Sequence, residues 1–350
     1  MWEFSDTNLG LTFGNPEITK LKDGTWVVLV ASGYNNVSPG DGVGRLYVLN
    51  AQTGAIIRTI STGVGSTTTP SGLAKIRAWV DNATSDNTTL RVYGGDLLGN
   101  VWRFDVNGDV GAAGFDAQLL VTLVDGSGNA QPITAKPELG DVAGKALIFV
   151  GTGRYVGASD LGDTSRQSMY AIKDKLDAVT LGSPRVAASR FIQQVETNGL
   201  CPASAPATVC STGQNIRTTT SNTVNYATDN GWFIDLPDTG ERASTDPSLQ
   251  LGVLVFNTNV PNASACTVGG YSNTYFLDYR TGGAVTTAAG VVSVRLGNAL
   301  ATRPVVLRLP NNKIVALTRM SDGTTISRPV PSGGPPGSAR RISWRELITE

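Results

Sequence analysis

The chain has 350 residues, with 28 basic and 28 acidic side chains and no histidine. Zero net charge without long blocks of one sign argues against nucleic acid or an anionic membrane as default partner, and the missing imidazole removes the commonest general base. No apolar run approaches the roughly 18 residues needed to span a bilayer, and residues 1–20 lack the apolar core of a secretory signal.

Met1-Trp2-Glu3-Phe4-Ser5-Asp6 reads as the end of a strand, so the chain is expected to begin inside a sheet and to be the C-terminal piece of something longer. From there short apolar β-type runs recur, each introduced by a proline turn: Asn15-Pro16, Thr69-Pro70, Lys136-Pro137, Asp246-Pro247 and Arg303-Pro304. Several units close on an aromatic-Asp/Asn string, as in Leu46-Tyr47-Val48-Leu49-Asn50, Val101-Trp102-Arg103-Phe104-Asp105 and Tyr275-Phe276-Leu277-Asp278. Repeats at spacings of roughly 50 to 110 residues, built only of short strands, predict a β-propeller. The 41 glycines and the abundance of Thr, Ser, Val and Asn suit strands and turns. The best short helical stripes are 169–176 and 344–347. Trp26, Trp102, Tyr170, Phe256 and Tyr275 are expected to be buried between sheets.

Between the runs lie candidate sites. The string from Asp6 to Phe13 is a degenerate version of the Asp-box turn of sialidase propellers. Asp96-Leu97-Leu98-Gly99-Asn100 is a turn between two apolar strands, with Gly99 free to take positive φ. Asp105-Val106-Asn107-Gly108-Asp109, with Asp116 further on, imitates an EF-hand loop, but Val110 stands where the turn glycine is required. A simple turn is the better reading. Gly151-Thr152-Gly153 lacks the Lys-Ser/Thr pair and helix of a phosphate loop. Strand endings such as Ala51-Gln52-Thr53-Gly54 are of the kind found in quinoprotein propellers. An enzyme, either a glycoside hydrolase or quinoprotein-like, is therefore the alternative function class, and a truncated fragment without independent function is the third. No clustered acid/base pair supports catalysis.

Residues 179–228 are expected to form a long surface insertion with weak strand signals, rich in Ser, Thr and Asn, the kind of structureless segment that is functional or disordered. It holds Cys201 and Cys210, nine apart in a polar stretch. Three cysteines allow three pairings, or three free thiols. The expectation is a Cys201–Cys210 bridge, with Cys266 free or externally paired. Residues 329–337, rich in proline and glycine, read as a linker.

Four strings in order resemble one family: Tyr93-Gly94-Gly95-Asp96 continuing to Asp105; Gly151-Thr152-Gly153-Arg154-Tyr155 with Gln167-Ser168-Met169-Tyr170-Ala171-Ile172; Gly231-Trp232-Phe233-Ile234-Asp235-Leu236-Pro237 with Gly240-Glu241-Arg242; and Arg341-Ile342-Ser343-Trp344-Arg345-Glu346. Together they are similar to the C-terminal β-propeller of the PilY/PilC family of type IV pilus tip and assembly proteins, over nearly the whole chain. The resemblance implies an all-β, modified propeller, present over residues 1–350 as an incomplete portion of about four to five blades. It implies a non-enzymatic protein, extracellular at the pilus tip and reached through the periplasm or outer membrane. Its expected partners are pilins or minor pilins and a host or abiotic surface. Its expected roles are pilus assembly and retraction, adhesion and twitching motility.

The family's calcium loop, aligned by counting back from Tyr93, falls on Asn82, Thr84, Asp86, the carbonyl of Thr88, and Leu90. The final carboxylate has become Leu90 and the turn glycine Asn87; Asp86 keeps its charge and Asp81 could substitute. Calcium wants six to eight hard oxygen ligands, so this degenerate site (Asp86, Asn82, Asp81) is expected to bind calcium weakly if at all. No other cofactor is expected.

Overall fold

The computed structural model describes residues 1–81, 86–108, 110, 114–262, 269–310 and 313–331. Among these residues it is built from strands and a few single-turn 3₁₀ segments, in two compact units.

The first unit comprises Met1–Leu123 and Asp174–Ser183. Its first sheet is an antiparallel meander of β1 (Glu17–Lys20), β2 (Trp26–Ala31), β3 (Arg45–Asn50) and β4 (Ile56–Ser61). The second sheet repeats that order with β5 (Lys75–Val80), β6 (Thr89–Gly95), β7 (Asn100–Asp105) and β8 (Ala117–Thr122). Alternation along each strand sends Val27, Leu29, Leu46 and Val48 of one sheet and Ile76, Val92, Trp102 and Phe104 of the other into one apolar core. The same alternation corrects one expectation. Trp26 starts β2 out of phase with Val27 and Leu29, and it is 46% exposed. The other four aromatic residues expected inside, Trp102, Tyr170, Phe256 and Tyr275, are buried.

The second unit comprises Val124–Lys173 and, among the described residues, the chain from Pro184 to residue 331. Its strands continue as β9 (Glu138–Val142), β10 (Lys145–Gly151), β11 (Ser168–Lys173), β12 (Phe191–Gln194), β13 (Glu196–Leu200), β14 (Asn215–Thr219) and β15 (Gly231–Asp235). They end with β16 (Ser248–Gln250), β17 (Val253–Pro261), β18 (Gly270–Asp278), β19 (Val291–Gly297), β20 (Val305–Arg308), β21 (Ile314–Arg319) and β22 (Thr325–Pro329). The stripe at 169–176 thus belongs mainly to strand β11, where Met169 and Ala171 face the core by period two. The sheet orders are β12-β15-β11-β10-β9, then β13-β14-β19-β18-β17-β16, then β20-β21-β22.

The long insertion is not an irregular loop. Residues 181 and 182 bond the backbone of β8 in the first unit. In the second unit β12 adds parallel to β15, and the β13–β14 hairpin adds antiparallel to β19. β12 and β13 are the edge strands of their sheets, where one side of the strand has no neighbour and apolar alternation is less demanded. Residues 332–337 of the expected linker, the family string at 341–346 and the helical stripe at 344–347 lie outside the described residues.

The aromatic-Asp/Asn endings have a local cause. Asn50 and Asp278 each accept backbone N–H bonds two and three residues on, which turns the chain after β3 and β18. In both turns a glycine with positive φ follows, Gly54 and Gly282, and a Cβ there would meet a tryptophan ring at 2.6 and 2.5 Å. The rings are Trp2 and Trp232, and each indole donates to a carbonyl of the turn it covers, Ala51 and Tyr279. Trp2 is therefore placed on its turn as the β15 tryptophan is on its own.

Candidate functional site

The expected calcium loop joins β5 to β6. Asn82 and Thr84 lie outside the described residues. Asp86 pairs with Lys20 at 3.0 Å and accepts from the N–H and hydroxyl of Thr88. The Lys20 hydrogen bond and then Thr88 hold its carboxyl below the usual range. Asp81 accepts from the Trp79 indole and faces Arg91 at 3.7 Å. Leu90 lies in β6 and offers no oxygen from its side chain. Among the described residues no group of three acidic, Cys or His side chains could hold a metal. Two carboxylates that each face a cation fit calcium poorly, since the ion would have to displace both partners.

The EF-hand-like string is a backbone turn. Asp105 accepts the N–H groups of Asn107, Gly108 and Val110, which occupies its carboxylate; Asp109 lies outside the described residues. Asp6 likewise accepts from Asn8 N–H and the Tyr47 hydroxyl. Asp96 is fully buried and gathers Leu98 N–H, Asn100 N–H and side chain, the Trp102 indole and the Ser71 hydroxyl. Burial pushes its carboxyl up. Gly99 has the positive φ this turn requires, at 82°. Asp125-Gly126-Ser127-Gly128-Asn129 repeats the device, a five-residue signal that the strand pattern does not bring out. Arg242 donates to the carbonyls of Arg154, Asp160, Asp163 and Gly240 and so staples the 154–163 loop.

Cys201 and Cys210 are joined by a disulfide with Cα atoms 6.0 Å apart. The cysteines are not surface ornaments. Both are buried, and they fold the β13–β14 loop onto Ile216, Val255, Phe276 and Val294. Cys266 lies outside the described residues.

The opposite face of that sheet holds a charged cluster that no sequence pattern marks. Register places Asn198, Arg217, Ser293 and Tyr275 side by side on β13, β14, β19 and β18, and residues directly opposite in antiparallel pairs share a face. Arg217 is 4% exposed. It donates to Asn198 Oδ1, to Glu241 Oε1 at 2.7 Å, to Asp238 Oδ2 at 2.6 Å and to the Tyr275 hydroxyl. Glu241 also receives Thr258 and Asn273. A third carboxylate, Glu196, stands 3.9 Å from Arg217 and accepts from the Tyr275 hydroxyl. Burial above all, with Glu241 and Asp238 nearby, pushes its carboxyl up to about 8, against the pull of Arg217.

Beside this cluster opens a cavity of about 220 Å³. Asn198, Gly199 and Asn215 form an exposed mouth, and Arg217, Asn273 and Ser293 a buried floor. Arg295 closes one wall, its guanidinium 3.5 Å over the Tyr271 ring. Burial and the hydrogen bond to Asp238 push the Tyr271 hydroxyl up to about 12. Arg217, Asp238 and Glu241 are committed to one another, whereas one Glu196 oxygen has no partner among the described residues.

Comparison with known proteins places the molecule. Residues 3–199 match the family model of the PilY1 beta-propeller domain. The chain is 31% identical over 325 residues to a type IV pilus biogenesis factor PilY1 homolog of Xylella fastidiosa, covering 84% of the chain and 20% of that protein. It is 31% identical over 322 residues to the type IV pilus biogenesis factor PilY1 of Pseudomonas aeruginosa PAO1, covering 81% of the chain and 27% of that protein. The chain thus spans only about a fifth to a quarter of these relatives' length. The crystal structure of the Pseudomonas aeruginosa PilY1 C-terminal domain superposes with a TM-score of 0.71 at 24% identity, over 94% of this chain and 74% of that one. The fold is therefore that β-propeller.

Proposed function

The chain belongs to the PilY1 β-propeller family, and from that membership we propose that it is a non-enzymatic, pilus-associated protein acting outside the cell. The observation that carries this reading is the family match, together with relatives named as type IV pilus biogenesis factors. In this reading the propeller is a platform at the pilus tip. It contacts pilins or minor pilins, supports the balance of assembly and retraction, and presents a surface for adhesion and twitching. Two features favour binding over catalysis. Arg217, Asp238 and Glu241 are spent on each other, and the inserted hairpin is fixed by a disulfide of the kind that persists outside the cytoplasm. Calcium has at most a minor part, because Asp81 and Asp86 are already engaged by cations.

Deletion of the coding sequence in its own bacterium tests the reading. Loss of surface pili and of twitching, restored by the intact gene, is the expected outcome. Normal piliation and motility in the deletion strain would sink it.

A further inference from the structure

The cavity under the inserted hairpin has walls that specify a ligand. Three groups there have uncommitted hydrogen-bonding capacity. Ser293 is 1% exposed, and its hydroxyl oxygen has no partner among the described residues. The buried Nε of Arg295 has none either. The side-chain amide of Asn215, at the mouth, makes no hydrogen bond to a described residue. Buried polar groups without partners are rare and call for an explanation.

Arg295 is the distinctive one. Arg217 is neutralised by Asp238 and Glu241, whereas no carboxylate of the described residues pairs with Arg295. Its guanidinium carbon sits 3.5 Å from the centre of the Tyr271 ring. A stacked guanidinium keeps its N–H donors in plane and available for a bidentate carboxylate or phosphate. Apart from Ile216, the Tyr271 ring and the Arg217 guanidinium, the side chains of the wall are amide, hydroxyl and carboxylate. An apolar ligand needs a predominantly apolar lining, so this mostly polar site does not suit one. A hydroxyl both donates and accepts, so a ring carrying several hydroxyls satisfies Asn198, Asn215, Asp238 and Ser293 together.

We propose that this cavity binds one acidic sugar residue, a pyranose bearing a carboxylate, with the carboxylate on Arg295 and the hydroxyls on Asn215, Ser293 and Asp238. The site rests on the geometry of the fourth sheet and goes beyond a role in pilus biogenesis; it stands or falls without it.

Calorimetric titration of the disulfide-intact chain with D-glucuronate, D-glucose and inorganic phosphate tests the assignment. Glucuronate is expected to bind at least about tenfold more tightly than glucose or phosphate, a factor that corresponds to about 1.4 kcal/mol. Arg295→Ala should cost about tenfold or more in glucuronate affinity, the worth of a hydrogen bond to a charged group. Should Arg295→Ala fail to fold, Asn215→Asp places a repelling charge at the exposed mouth and should weaken glucuronate similarly while leaving the thermal midpoint unchanged. Equal binding of glucose would overturn the carboxylate assignment, and equal binding of phosphate the sugar assignment. No saturable glucuronate binding, or wild-type affinity in the folded variants, would overturn the site itself.

Discussion

The second and fourth sheets each bury an arginine in mid-strand, and they do so to different ends. In the second sheet Arg103 and Asp174 are each 1% exposed and meet at 2.7 Å. The remaining capacity is taken up. Arg103 also donates to the Asp177 carbonyl, and Asp174 accepts the Tyr93 hydroxyl and the Leu176 N–H. One cation faces one carboxylate, and nothing is left over. In the fourth sheet Arg217 faces three carboxylates, one of them pushed toward neutrality, and unpartnered polar atoms stand close by. A matched, saturated pair reads as structure. A mismatched cluster beside a polar cavity reads as a site, because buried polar groups left without partners lower stability unless something else uses them.

The largest expected effect breaks the matched pair. Asp174→Ala leaves Arg103 buried and uncompensated and should destabilise by about 3–5 kcal/mol, read as a shift in the denaturation midpoint. A loss below 1 kcal/mol would show that water reaches the pair. Next, reducing the Cys201–Cys210 bridge, or Cys201→Ser with Cys210→Ser, should cost about 2–3 kcal/mol through the closed loop's entropy. The glucuronate site on the neighbouring hairpin should weaken with it. Unchanged stability and binding would show that the hairpin holds its place without the bridge.

A smaller effect tests the surplus carboxylate. Because the folded state raises Glu196 from 4.5 to about 8, its favourable contribution is fully present below pH 4.5 and is lost as pH rises through about 8. Arg217, Glu241, Asp238 and Tyr275 face it. Glu196→Gln should therefore flatten the decline of the melting midpoint across that window and leave the variant more stable by at least about 1 kcal/mol at pH 9. An unaltered profile would show that Glu196 ionises as freely folded as unfolded. The smallest effect is on calcium. The β5–β6 loop should bind no more tightly than the 10⁻⁴ M or so of weak extracellular sites, with little change in Asp86→Ala. Leu90→Asp should tighten binding. Micromolar binding abolished by Asp86→Ala would show the loop to be a working site, and no gain from Leu90→Asp would show the loop register misplaced.

Much of the fold is local and so was legible in the chain. Period-two alternation marks strands such as β2, β7, β10 and β17, and Asn50, Asp105 and Asp278 end strands by bonding the backbone two and three residues on. The error at Trp26 is of the same local kind, a phase slip of one residue that moves a side chain to the other face. The strings shared with the family were legible as similarity, and the structure supplies their cause: Asp96, Trp232, Glu241 and Arg242 each hold a turn or a loop in place.

The insertion was legible only as a polar stretch with two cysteines. Whether a run of Thr, Asn and Ser becomes a strand depends on which edge it meets, and β14, which carries β13, meets β19 some 80 residues away in sequence. The binding cluster has the same origin. Glu196, Arg217, Glu241, Tyr271, Ser293 and Arg295 are scattered over about a hundred positions and form no spacing that a motif could record. Local pattern was enough for the apolar strands, their turns and the family resemblance; the inserted strands and the site arise from tertiary pairing, because sheet register is a long-range match that brings together side chains no local rule connects.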